Sequence, residues 1–171
     1  DLEKEFLRRM RDFPDNYLMA ARDYGEFGAY DEALGLLGEC WAVHPMLKYY
    51  EAYYTYMRRV GQEAGSGAFH AGGAGSGEAC VENLSEMVSG AGNCRSGDNS
   101  YKLILGLLQE AEGCVPDYCF PNKLEDIAVL RFAAQWHGAG ERRPMAKYYL
   151  GCLFYDKLQW EQAKELWEQA A

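Results

Sequence analysis

The side chains best suited to chemistry are scattered along this chain. His70, Cys80, Cys94, Cys114, Cys119 and His137 are metal-ligand types, but a zinc site usually shows paired ligands at short regular spacings such as C-x2-C. The one short pair, Cys114 and Cys119, is a solitary C-x4-C. Two minor readings follow: a zinc ion held by His70, Cys80 and Cys94, or a disulfide within the same stretch. Glu82 and Glu86 lie four residues apart and could act as paired carboxylates, although a solvated helix face has the same spacing. No nucleophile elbow, HExxH pair or strand-borne glycine-rich phosphate loop occurs. The sequence therefore predicts no catalytic residue, no cofactor and no enzyme activity. What remains is tyrosine, whose large ring and polar tip suit binding. Tyr49, Tyr53 and Tyr56 fall on one stripe, and Tyr148 and Tyr155 on another.

Amphipathic helices must position these rings. Residues 143–171 read as two helices joined by a short turn. Leu150, Gly151 and Phe154 share a face of the first, while Ala163, Leu166, Trp167 and Ala170 form the stripe of the second. Gly151 costs helix stability, about 1 kcal/mol against Ala, and a glycine there allows close approach of another backbone. Residues 14–45 repeat the pattern: Pro14 opens a helix, Ala21 takes the place of Gly151, Gly28 makes the turn, and Tyr30, Ala33, Leu37 and Cys40 form the second stripe. Ala21 precedes Ala33 by the interval that separates Gly151 from Ala163.

The remaining segments fit around these two units. Residues 1–13 predict a leading helix with Leu2, Phe6, Met10 and Phe13 on its apolar side. Residues 46–116 predict one further unit, split by a Gly/Ser-rich insertion at 63–99 that carries a short amphipathic piece at 79–88. Tyr50, Tyr53, Met57 and Val60 stripe its first helix; Tyr101, Ile104, Leu108 and Ala111 stripe its second. Such insertions are cheap, since closure entropy grows slowly with loop length. Residues 117–142 predict a connecting helix, with Leu124, Ile127, Leu130, Arg131 and Ala134 in helical spacing.

The spacing of Leu150-Gly151, Phe154, Ala163 and Trp167 resembles the tetratricopeptide repeat. The stretches PDYCFPNKLEDIAVL and YYLGCLFYDKLQWEQAKELWEQA further resemble bacterial tetratricopeptide proteins fused to a carbohydrate-active-enzyme-like domain of unknown function. The resemblance implies an all-α, right-handed stack of helical hairpins, a bacterial source and a scaffold role, with any catalytic site outside this chain. In such a stack the first helices line a concave groove. Arg22, Tyr49, Tyr53, Tyr56, Tyr148 and Tyr155 are then the expected partner-binding residues, with Leu18 beside Arg22 and with Met145 and Cys152 beside the last two tyrosines. Leu18 and Arg22 replace two positions of the carboxylate-clamp subgroup, which disfavours a C-terminal carboxylate ligand.

Composition bounds the partner. The 171 residues are 49% hydrophobic and carry a formal net charge of −9, which argues against nucleic acid, whose binders bear basic stripes. No apolar run is long enough to span a membrane. The expected partner is a protein or peptide, with a homo-oligomer as one option. The alternative is a non-catalytic accessory module of a larger carbohydrate-active enzyme. Six cysteines with no dense framework suit a reducing cytoplasm, with Cys40 and Cys152 as small buried helix residues. The first helix lacks an initiator Met and a signal-type apolar core, so a fragment or a processed product is expected.

Overall fold

The computed structural model describes residues 2–66, 99–115, 119–136 and 143–171. Among these residues all regular structure is α-helical, in eight helices: α1 Leu2–Met10, α2 Pro14–Glu26, α3 Tyr30–Gly38, α4 Pro45–Ser66, α5 Asn99–Gly113, α6 Glu125–Gln135, α7 Pro144–Asp156 and α8 Trp160–Ala170. The expected piece at 79–88 and the ligand types His70, Cys80, Cys94 and His137 lie outside the described residues.

Helices α2/α3 and α7/α8 pack as two hairpins built to one plan. Their landmarks differ by a constant 130 (144 − 14, 158 − 28, 163 − 33). Pro14 and Pro144 open the first helices, where proline's missing N–H costs nothing. Gly28 and Leu158 make the turns in left-handed conformation, with φ 72° and 60°. The hydrogen bonds also correspond. Ala29 N–H reaches Tyr24 O at 3.0 Å and Gly28 N–H reaches Gly25 O at 3.0 Å; Gln159 N–H reaches Phe154 O at 2.9 Å and Leu158 N–H reaches Tyr155 O at 3.0 Å. This is the 6→1 and 5→2 pairing of a Schellman cap. Ala33 and Ala163 are both fully buried.

The contact between each pair of helices is set by small residues. A Cβ on Gly151 would lie 2.5 Å from Trp167 Nε1 and 3.2 Å from the Ala163 carbonyl oxygen. The matching pair in the first hairpin is Ala21 with Leu37, both buried. Where the second helix carries the larger ring, the first carries the smaller residue. A third pairing comes from α4 and α5, which pack along each other across the insertion, with Ala52, Ile104, Leu108 and Ala111 buried.

Three expectations need correction. Residues 2–10 form the leading helix, but Leu2, Phe6 and Phe13 are exposed and only Met10 is buried; Leu7 adds a partial contact with the core. Cys40 lies beyond the end of α3 and is partly buried, as is Cys152 within α7. The buried face of α6 is Asp126, Val129, Leu130, Phe132 and Ala133, whereas Leu124 is exposed. The cause is Asp126: a charged residue on the buried stripe disguises the pattern at 126, 129, 130 and 133. Helix α6 packs against both α4 and α7.

Candidate binding cleft

Asp126 is 1% exposed, and a buried carboxylate must be paired and hydrogen-bonded to be tolerated. Its Oδ1 accepts from Tyr50 Oη at 2.7 Å and from Arg22 Nη2 at 2.7 Å, while Arg22 Nε donates to Tyr50 Oη at 2.8 Å. Its Oδ2 accepts the backbone N–H groups of Asn122 and Lys123 at 3.2 and 3.1 Å. One side chain thus joins α2, α4 and the connector entering α6. Burial alone would lower the Arg22 guanidinium, but the Tyr50 hydroxyl and Asp126 leave it raised. Burial, then Asp126, raises the Tyr50 phenol. Arg22 is committed to this interior network and its side chain is 15% exposed.

The six expected binding residues do not share one surface. Tyr49 and Tyr56 are buried and Tyr53 is partly buried. Tyr53 packs edge-on against Phe132 at 5.5 Å between centroids, and Tyr56 lies 5.1 Å from Phe132 and 5.8 Å from Trp136. The aromatic face of α4 exists, but the chain's own α6 and Trp136 occupy it. Tyr49 donates to Glu112 Oε1 at 2.8 Å, and the same carboxylate accepts the N–H groups of Met145 and Ala146 at 2.9 and 3.0 Å. Glu112 therefore caps α7 from α5. Only Tyr148 and Tyr155 of the set are exposed, at 45% and 57%. Tyr155 packs tilted against Trp167, and the Tyr148 carbonyl accepts from the Trp167 indole at 3.2 Å.

A concavity borders the Asp126 network on the side of α2. A cleft of about 600 Å³ opens between α2, residue His44 and the 120–126 segment. Asp15, Met19, Asp23 and Glu26 line it from α2, and Phe120 and Glu125 face them. Met19 is 60% and Phe120 78% exposed, so two apolar side chains stand in solvent among four carboxylates. Burial lowers the His44 pKa, partly opposed by Asp15, which keeps this imidazole neutral near pH 7. Sequence reasoning missed the cleft because its walls are far apart along the chain. The signal available was Asp15, Met19, Asp23 and Glu26 repeating at helical spacing on the face of α2 away from Tyr17 and Ala21. A smaller concavity of about 400 Å³ lies between α6, α7 and α8, lined in part by Arg131, Lys147 and Phe154.

Among the described residues no group of three His, Cys, Asp or Glu side chains is placed to hold a metal ion. None of the described helices is long and apolar enough to cross a membrane. No protein family, curated protein or solved structure matches this chain.

Proposed function

We propose that this chain is a binding module of the tetratricopeptide type: a right-handed stack of helical hairpins that holds a protein or peptide segment and performs no chemistry of its own. The constant 130-residue correspondence of the two hairpins, down to their caps, supports the repeat character. The observation that carries the binding role is the cleft on α2, where Met19 and Phe120 are exposed beside Asp15, Asp23, Glu26 and Glu125. Contiguous exposed apolar surface rimmed by polar residues marks interaction sites, and Met19 and Phe120 line one cleft together. The tyrosines of α4 contribute indirectly, by holding α6 and thereby one wall of the cleft. The experiment is selection of a random-peptide display library on the immobilised chain. The expected result is a convergent sequence motif whose synthetic peptide binds saturably. Selection that yields no convergent motif would refute the module.

A further inference from the structure

We propose that the cleft between α2 and the 120–126 segment takes a cationic, extended peptide segment, with Lys or Arg side chains over the carboxylates and one apolar side chain between Met19 and Phe120. This rests on the binding-module reading and names the ligand's chemistry. The lining holds Asp15, Asp23, Glu26, Glu125 and Asp126 against only Arg22 and Lys123. Arg22 is already spent on Asp126, and none of the other four carboxylates forms an ion pair among the described residues. Among the described residues the lining therefore presents negative charge without an ion-pair partner beside the exposed Met19 and Phe120. Complementary charge across an interface steers association and rejects like-charged partners.

Size and shape agree. From Asp15 to Glu26 the lining face of α2 runs about 16 Å at a rise of 1.5 Å per residue, the length of about five residues of extended chain. A second copy of this chain, with net charge −9, would bring like charge to the rim. An acidic segment would meet the carboxylates directly. A short basic–apolar strand satisfies both the rim and the two exposed side chains, and burying Met19 and Phe120 supplies apolar contact.

The test uses two fluorescent peptides, Lys-Leu-Lys-Leu-Lys and Glu-Leu-Glu-Leu-Glu, titrated by anisotropy into the whole chain. The lysine peptide should bind, weaken as NaCl is raised, and lose about tenfold or more in affinity to the Asp23→Lys/Glu26→Lys variant. Both substituted positions are exposed, and an unchanged melting curve checks that the variant folds. Met19→Ser should also weaken binding but leave its salt dependence intact. Equal binding by the charge-reversed variant overturns the proposal. So does preference for the glutamate peptide, which would point to the cavity beside Arg131 and Lys147. Concentration-dependent self-association that disappears in the charge-reversed variant would make a second copy the occupant and also overturn it. If library selection gives a motif whose binding survives charge reversal, this assignment falls while the module reading stands; if selection gives no motif, the module reading itself falls.

Discussion

Replacing Gly151 with alanine adds one methyl group at the closest point of the last hairpin. In a free helix the change would stabilise by up to about 1 kcal/mol. Here the new Cβ would lie 2.5 Å from Trp167 Nε1 and 2.6 Å from its Cδ1, so the indole must move. It is held by the 3.2 Å hydrogen bond to the Tyr148 carbonyl and by a tilted ring contact with Tyr155. Losing that bond costs about 0.5–1.5 kcal/mol, and overpacking adds about 1–3 kcal/mol. The net expectation is destabilisation by about 0.5–3.5 kcal/mol, a fall in melting temperature of about 1–14 °C for a chain of this size. The first hairpin supplies the control, because its equivalent pair is Ala21 with Leu37. Trp167→Leu removes the obstruction, so Gly151→Ala in that background should be neutral or stabilising by up to about 1 kcal/mol. Urea unfolding of the wild type, both single variants and the double variant should give a coupling of about 0.5–4.5 kcal/mol. Additive single effects, or a Gly151→Ala variant that melts above wild type, would refute the nested-helix account.

Leu158→Gly should stabilise by about 0.5–1 kcal/mol, read from the urea midpoint: Leu158 holds φ 60° while 75% exposed, and glycine enters that region without the Cβ strain. Asp126→Ala should cost about 3 kcal/mol in the same assay, since it strands Arg22, Tyr50 and two backbone N–H groups. Stability should also fall at alkaline pH. Tyr49, Tyr50 and Tyr54 all have phenols raised above 10.0, first by burial. Their folded states hold the proton that the unfolded chain releases near pH 10, so the unfolded state gains as pH rises through that value. Urea midpoints at rising pH should drop there, and Tyr49→Phe should blunt the drop.

The hairpins were legible because their signals are local. Small residues at Gly151, Ala163, Ala21 and Ala33 recur at fixed intervals, and prolines and turn residues punctuate them. The face of α6 was not, because Asp126 breaks an apolar stripe, and two of the partners that make it tolerable there, Arg22 and Tyr50, are distant in sequence. Tyr49, Tyr53 and Tyr56 share a stripe of α4, but Tyr49 and Tyr56 are buried. Their burial depends on where α6 lies, which no periodicity encodes. The cleft was illegible for a related reason: Met19 and Phe120 come to line one cleft only when α2 and the connector are brought together around Asp126.

Backbone hydrogen exchange of the chain, free and saturated with the peptide motif recovered by library selection, tests the binding account most directly. The account predicts slowed exchange in residues 14–26 and 120–126, with α5 and α8 unchanged. Protection confined to α7 and α8 around Tyr148 and Tyr155, or no protection at saturation, would contradict it.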